Sequence, residues 1–382
     1  MNLKITSVIL FYFLCLSSVF ANNKISSSQF NPAIGLILDG KYTQFSNDPE
    51  AYAISGFALA EETGPGEEGF SLGESELNIS ANIDDLFYGL FTAALTAENE
   101  VEIEEAYIET LGLGQGFTIK AGRFFSGIGY LNQHHAHTWD FVDQPLVYKA
   151  MLGNQLADDG VQLRWLAPTE FFLEFGVECL RGDGFPAGNA ANNGKGTTTL
   201  FAHIGGDVDT SNSWQAGISL INAKAEARET GDPAETFTGD SELAILDFIW
   251  KWAPNGNPKQ NNLKVQLEYF SRNEQGTYEA NPYDADQSGY YLQAVYQFIP
   301  KWRLGVRYDA LSADDPGSAF AGTALDTQGH DPERWSVMLD WSRTEFSRLR
   351  LQYNADDSNL NSDSQLYLQY VMSLGAHGAH RF

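Results

Sequence analysis

The chain has 382 residues, and its 50 acidic side chains outnumber its 23 basic ones, which gives a formal net charge of −27. This balance argues against a nucleic-acid partner, because binding to phosphate backbones depends on basic side chains. Cys15 and Cys179 are the two cysteines. Cys15 lies in a segment that we expect to be removed, so the mature chain is predicted to have no internal disulfide and no cysteine-rich metal site.

The N-terminal segment has the first pattern that can be interpreted. Lys4 precedes the apolar run 5–16, and Val19, Phe20 and Ala21 follow as a cleavage pattern. This order is typical of a secretory signal peptide. We therefore expect residues 1–21 to be a signal peptide and residues 22–382 to form one domain. No run of about 20 apolar residues follows, which predicts that the mature chain has no membrane-spanning helix.

The mature sequence is organised as short segments in which apolar and polar side chains alternate. Successive side chains of a strand point to opposite faces, so Val161, Leu163 and Trp165 would face one side, and Gln162 and Arg164 the other. The segment 101–111 alternates poorly, because glutamates occupy both faces, and this indicates either a bulge or a wrongly placed strand boundary. Sixteen strands are predicted in all: 33–45, 69–83, 86–97, 101–111, 116–125, 160–167, 170–181, 197–207, 213–224, 242–253, 262–273, 288–299, 301–311, 334–343, 345–354 and 364–374.

The connections between these strands differ in length. Short turns such as 84–85, 167–168 and 344–345 join alternate pairs. The intervening connections are mostly long: 46–68, 126–159, 182–196, 225–241 and 312–333. This arrangement is typical of outer-membrane barrels, which have short periplasmic turns and longer outer loops. The predicted fold class is all-β: a transmembrane antiparallel β-barrel of about 16 strands, closed because an open edge in lipid would leave backbone groups unpaired.

The C-terminal strand adds a local motif. Leu366, Leu368, Tyr370, Met372 and Leu374 share one face, and the chain ends at Phe382. A terminal aromatic residue after such a strand resembles the assembly signal of bacterial outer-membrane barrels. We therefore predict that the barrel assembly machinery recognises Phe382. The expected location is the outer membrane of a Gram-negative bacterium, with outer-membrane lipid and lipopolysaccharide around the barrel.

The longest connection between strong strands, 126–159, is the third outer loop. In sixteen-stranded porins this loop folds inward and narrows the pore, and a loop of this length is usually functional or disordered. Its aromatic content argues against disorder. We expect it to fold into the lumen and to form a constriction with five polar side chains: His134, His135, His137, Asp140 and Asp143.

The loop histidines also suggest a metal. Imidazole and carboxylate groups are zinc ligands. In an extended stretch His135 and His137 share a face, whereas His134 points away, so His135 and His137 are the predicted ligands. The alternative is that these histidines only hydrogen-bond the barrel wall. Apart from zinc, no cofactor is expected.

Charged side chains at inward-facing positions define a predicted pore wall. They are Lys120, Arg164, Glu174, Glu178, Arg303, Arg307, Arg348 and Arg350. The last four lie on nearby strands and are expected to form one basic strip opposite the acidic loop, which would create a transverse field. The alternative is that the wall charges pair with one another.

Four stretches carry a family resemblance: Ile103–Tyr107, Ala121–Phe125, His135–Val147 and Asp158–Pro168. Over about 60 residues the sequence resembles a porin-like family of outer-membrane proteins, some of which are described as zinc-regulated or TonB-dependent receptors. It is more distantly similar to phosphate-selective porins. The resemblance implies an outer-membrane channel and suggests one that is expressed when zinc is scarce.

These observations predict a channel for the passive diffusion of small hydrophilic solutes or ions. Two alternatives stay open: a zinc- or metal-linked substrate-specific receptor, and a barrel with a structural or adhesive surface role. Association into a homotrimer is also open. The sequence supports an enzyme only weakly, since Gly239–Glu242 lacks the strand–turn–helix setting of a nucleophile elbow and no lipid-facing Ser/His pair of a lipase stands out. We therefore expect no catalytic activity.

Overall fold

A computed structural model describes residues 32–61, 63–96, 100–189, 194–231 and 234–375. The predicted signal peptide and the predicted assembly signal, Phe382, lie outside the described residues. The predictions made for them therefore stay predictions.

The described chain is built almost entirely of antiparallel strands. They are β1 (Ala33–Phe45), β2 (Gly69–Leu72), β3 (Ser75–Asn82), β4 (Phe87–Leu95), β5 (Val101–Thr110), β6 (Phe117–Phe125), β7 (Ala157–Leu166), β8 (Phe172–Leu180), β9 (Thr197–Asp209), β10 (Asn212–Thr230), β11 (Glu235–Trp252), β12 (Asn262–Tyr278), β13 (Asn281–Ile299), β14 (Trp302–Ala313), β15 (Glu333–Thr344), β16 (Ser347–Asp357) and β17 (Asp363–Gly375).

The sheet closes on itself. β1 pairs with β17 from Gly35↔Gly375 to Phe45↔Gln365, and from β3 to β17 each strand pairs with the next one in chain order. β2 and β3 both pair with β1 and occupy one strand position, interrupted at Gly73 and Glu74. The seventeen strand segments therefore form a barrel of sixteen positions, which confirms the predicted fold class.

In the described part of the chain, helical structure is confined to the connections, and one α-helix is present there. This helix, α1, runs from Leu146 to Leu152 and ends at Gly153 in the left-handed conformation, with φ 58°. Short 3₁₀ turns are Pro49–Ala51, Leu131–Gln133, Ala136–Thr138, Pro254–Gly256 and Ser318–Phe320. Within the described ranges, no helix combines the length and the apolar content that crossing a bilayer requires.

The barrel has an apolar outside, and on β16 apolar residues that face outward alternate with polar residues that face inward. Leu349, Leu351 and Tyr353 are 38%, 47% and 46% exposed on the outer face. The intervening Arg350, Gln352 and Asn354 are buried on the inner face. Exposed apolar and buried polar side chains suit a strand whose one face contacts lipid and whose other face lines a polar interior.

Two outer connections differ from the prediction. The segment 225–241 is not a long loop, because β10 continues to Thr230 and β11 begins at Glu235. The register shifts between Ala225 and Arg228, so a bulge hides the alternation there. β12 and β13 likewise extend to a tight turn at 279–280. Their outer parts carry polar side chains that bond across the exposed face, such as Asn273 to Asp286 at 2.8 Å, so no apolar alternation marks them.

Candidate functional site: the lumen segment and its charged anchors

The connection between β6 and β7, residues 126–156, is called here the lumen segment. Its first part hydrogen-bonds inward-facing side chains of the wall. The amide of Gly127 donates to Glu178 on β8 at 2.8 Å, and the amide of Gly129 donates to Ser219 on β10 at 3.0 Å. The amides of Tyr130 and Leu131 then donate to Glu268 on β12 at 3.0 and 3.1 Å.

The second part of the lumen segment follows the next strands. The amide of Val142 donates to Gln352 on β16 at 2.7 Å, and the amide of Leu146 donates to Asp309 on β14 at 2.9 Å. On the other side, His137 contacts Glu76 on β3. Because β3 and β12 lie on opposite sides of the sixteen-position barrel, the segment contacts facing walls.

Apolar side chains fill the space around α1. Leu146 and Met151 are fully buried, and they belong to one cluster with Phe57 from the connection 46–68 and with Ile245 and Phe270 on the wall. Burying such side chains stabilises the docked segment by about 1.5–3 kcal/mol for each large one. Polar bonds to the wall and an apolar cluster thus hold the segment together.

Asp143 is the most heavily anchored of the predicted constriction residues. It accepts from Arg307 at 2.9 Å, Arg334 at 2.8 Å, Gln352 at 2.7 Å and Asn354 at 3.1 Å. Burial by itself would raise the pKa of Asp143, but the charges of Arg334 and Arg307 more than offset it and hold the pKa well below its usual range. Asp143 is therefore ionised in its buried position.

Asp140 forms a second anchor. It pairs with Lys264 and, at 2.9 Å, with Arg303, whose guanidinium also bonds Asp340. Burial would raise the pKa of Asp140, and the charges of Lys264 and Arg303 lower it well below its usual range. Lys264 and Arg303 each keep 24% of their side chain exposed, so this anchor borders water in the lumen.

The remaining two predicted arginines bind the backbone of the same segment. Arg348 donates to the carbonyl of His137, and Arg350 donates to the carbonyl of Trp139, both at 2.7 Å. The predicted basic strip was expected to face the acidic loop across the pore. In the structure its arginines instead contact the loop directly, because the loop packs against the strands that carry them.

The other predicted wall residues have separate local roles. Lys120 lies over the ring of Tyr107, 4.4 Å from its centroid. Arg164 pairs with Glu109 at 3.0 Å and with Glu174 at 3.6 Å. Glu178 receives bonds from the start of the lumen segment. Arg164 and Glu174 thus match the alternative of ion pairs within the wall.

The loop histidines separate into two environments. His134 contacts the carbonyl of Tyr130 through Nδ1 at 2.9 Å, and burial lowers its pKa to about 4. His135 and His137 stack with ring centroids 5.8 Å apart and both reach Glu76, at 3.4 and 2.7 Å. The two rings lie side by side because Ala136–Thr138 forms a 3₁₀ turn after His135, and not because the stretch is extended as the sequence prediction assumed.

Carboxylates from β5 complete the surroundings of His135. Its Nδ1 lies 3.1 Å from Glu104 and its Nε2 lies 3.0 Å from Glu105. Burial would lower the pKa of His135, but the hydrogen bonds to Glu104 and Glu105 and the charge of Glu76 raise it well above the usual value. Glu76, Glu104, Glu105, His135 and His137 are called here the histidine–carboxylate cluster.

Sequence reasoning missed several partners. Arg334 anchors Asp143, and Glu104 and Glu105 hold His135, yet none of the three was a predicted site residue. A signal for the two glutamates existed. The register between β4 and β5 passes from Thr92↔Glu105 to Ala93↔Ile103, so Glu104 is the extra residue of a bulge. This bulge is the break in alternation that the sequence shows.

No protein-family model matches the sequence. An uncharacterized protein of Aquifex aeolicus (strain VF5) is 31% identical over 388 residues, covering 94% of this chain and 81% of that protein. Solved structures with a similar fold include an anion-selective porin from Comamonas acidovorans, with 9% identity and TM-score 0.55, covering 89% of this chain and 98% of that chain. The outer membrane channel DcaP of Acinetobacter baumannii has 13% identity and TM-score 0.54, with 89% and 96% covered.

A third similar structure is OmpT, an outer membrane protein of Vibrio cholerae, in a trimer form, with 12% identity and TM-score 0.55, covering 89% of this chain and 98% of that chain. At these identities the three structures share the fold with this chain. The chain belongs to the same family as the Aquifex aeolicus protein, and its fold is that of the outer-membrane porins.

Proposed function

We propose that this chain is a channel of a Gram-negative outer membrane for the passive diffusion of small hydrophilic solutes and ions. The lumen segment would form the constriction. The observation that carries this proposal is the set of bonds from the segment to Glu76, Glu268 and Gln352, because these side chains face inward from different sides of the barrel.

The charges that border water support a polar path. Lys41, Lys264 and Arg303 keep about a quarter of their side chains exposed, and Arg164 and Glu174 keep less. They lie on inward-facing positions, and both signs of charge are present. A mixed charged lining favours hydrated solutes and ions over apolar ones.

The proposed path is narrow. A sixteen-stranded barrel without a filled interior would leave a wide aqueous channel. Here α1 and its apolar neighbours, among them Leu146, Met151 and Phe57, are buried inside the barrel. We therefore propose selection for small solutes over larger ones.

The proposed location follows from the outer surface. Apolar side chains such as Leu351 and Tyr353 face outward and fit outer-membrane lipid and lipopolysaccharide, and the barrel assembly machinery would insert the chain. The short turns would lie on the periplasmic side. An epitope placed between residues 188 and 194 should then bind antibody on intact cells, and binding only after permeabilisation would overturn this orientation.

The trimer form of Vibrio cholerae OmpT supports a homotrimer, which the mass of the detergent-solubilised protein would test.

A second candidate function, a metal-linked receptor, is favoured by one observation. Three members of the histidine–carboxylate cluster, Glu76, Glu104 and His135, have ligand atoms within 4.8 Å of one another, beside the proposed constriction. A zinc-linked role would use this cluster, and its chemistry is developed below.

Liposome swelling tests the proposed channel. Liposomes that contain the purified protein should swell in small sugars and amino acids, and the rate should fall steeply with solute size. Liposomes that contain a heat-denatured sample of the same protein serve as the control. Swelling no faster than in this control, for every solute, would contradict the proposal.

A further inference from the structure

We propose that Glu76, Glu104 and His135 bind a divalent transition-metal ion, with Zn²⁺ as the expected class. The inference rests on the proposed channel only for the route by which the ion reaches the lumen. It differs from the sequence prediction in its ligands. His135 is retained, two carboxylates from the wall join it, and His137 becomes a supporting residue.

The distances fit such a site. One ligand atom from each of the three residues lies within 4.8 Å of the other two. Nδ1 of His135 is 3.1 Å from Glu104 and 3.4 Å from Glu76. Tetrahedral zinc with bonds of about 2.0–2.2 Å requires ligand atoms about 3.3–3.6 Å apart. The three side chains therefore stand near the required spacing.

The bulge in β5 explains how two neighbouring glutamates reach one imidazole. In a regular strand Glu104 and Glu105 would point to opposite faces. Because Glu104 is the extra residue opposite Thr92 and Ala93, both carboxylates reach the ring of His135 from the lumen side. Bulges often re-aim side chains in this way next to functional sites.

The surrounding contacts match those of metal-bound imidazoles. A histidine that ligates a metal usually donates its other ring N–H to a carboxylate, which fixes the tautomer and the orientation of the ring. Glu105 lies 3.0 Å from Nε2 of His135 and fills this role. Nδ1 of His137 lies 2.7 Å from the second oxygen of Glu76 and orients that carboxylate.

The charge of the cluster also favours a cation. Three carboxylates face two imidazoles, and the nearby guanidinium of Arg348 bonds the carbonyl of His137. A divalent ion would bring positive charge between the carboxylates of Glu76 and Glu104. His135 keeps 19% of its side chain exposed, so the site is open to the lumen.

The ligand set indicates which ions would bind. One imidazole with two carboxylates suits Zn²⁺ and its first-row neighbours, whereas Mg²⁺ and Ca²⁺ prefer oxygen ligands alone. Three protein ligands leave one position for water. An ion bound there would add positive charge next to the constriction.

Zn²⁺ titration of the full, refolded chain by calorimetry tests the site, with Mg²⁺ in excess to suppress non-specific carboxylate binding. We expect one saturable site per chain. H135Q and E104Q should weaken it by more than about 100-fold, and H137Q by about 10- to 100-fold, as expected for a supporting residue. H134Q is the matched control, because the neighbouring ring bonds the carbonyl of Tyr130 instead of the cluster, and it should bind like the wild type.

X-ray absorption of the zinc-loaded protein should show one imidazole and oxygen ligands. Unchanged affinity in H135Q, or no saturable binding by the correctly folded wild type, would overturn the inference. Heat-modifiable migration on gels shows that each variant is folded. Solute passage without zinc binding would overturn the metal site and keep the channel. Zinc binding without solute passage would do the reverse.

Discussion

Replacing Asp143 by alanine should release the lumen segment from the wall. The carboxylate of Asp143 holds Arg307, Arg334, Gln352 and Asn354 at 2.7–3.1 Å. Removing one partner of a buried ion pair costs about 3–5 kcal/mol, because the remaining charge is left uncompensated. Here both arginines keep Asp309, at 3.0 and 3.4 Å, so we expect the lower end, about 3 kcal/mol.

The loss of about 3 kcal/mol from the docked state raises the equilibrium constant for release of the lumen segment from the wall. Each 1.4 kcal/mol changes an equilibrium constant tenfold, so the undocked population of the segment should rise by about 100-fold. Hydrogen exchange followed by mass spectrometry measures it through the amides of Val142 and Leu146, which donate to wall side chains in the docked state. The strands themselves should exchange at unchanged rates, because their backbone ladders do not involve Asp143.

D314A is the matched control for this experiment. It removes the same charge from an exposed position in the connection between β14 and β15. Exchange in D314A should equal that of the wild type. If D143A also exchanged like the wild type, Asp143 would not anchor the segment. If both variants exchanged faster, a general charge effect would replace the specific anchor.

Two further predictions concern the site, and a third concerns assembly of the barrel. K264Q should shift the reversal potential in a salt gradient toward cation selectivity, because Lys264 borders water. R307Q should shift it much less, because Arg307 is buried. Equal shifts in the two variants would contradict the assigned exposures. Lowering the pH from 7 to 5 should make His134 favour release of the segment, because docking lowers its pKa to about 4, whereas His135 should favour docking, because docking raises its pKa. The gain in current noise at pH 5 should therefore be smaller in H134Q than in the wild type, and an equal gain in both would show that His134 does not contribute. Deleting Phe382 should reduce the heat-modifiable, membrane-inserted fraction, and an unchanged yield would show that the residue is not an assembly signal.

The barrel could be predicted from the sequence to a large extent, because one lipid-facing side forces alternation. β1 was predicted at its observed bounds, and β17 to within one residue at each end. The outer parts of β10 to β13 were missed, since a bulge near Ala227 and polar side chains on both faces remove the period-two signal.

The candidate site was only partly predictable, because its contacts join distant parts of the chain. Asp143 and His135 were named from loop composition, but the partner Arg307 lies 164 positions from Asp143. No local pattern specifies that pairing. The closure of the barrel brings these side chains together, and the bulge at Glu104 decides which carboxylates reach His135.

Planar-bilayer recordings of the wild type and of a chain lacking residues 132–145 test the central claim most directly. This stretch includes Asp140 and Asp143, which hold the lumen segment to the wall. We predict small, uniform current steps for the wild type and clearly larger steps for the shortened chain, because the constriction is removed. No steps from either folded protein, or steps of equal size from both, would contradict a channel narrowed by the lumen segment.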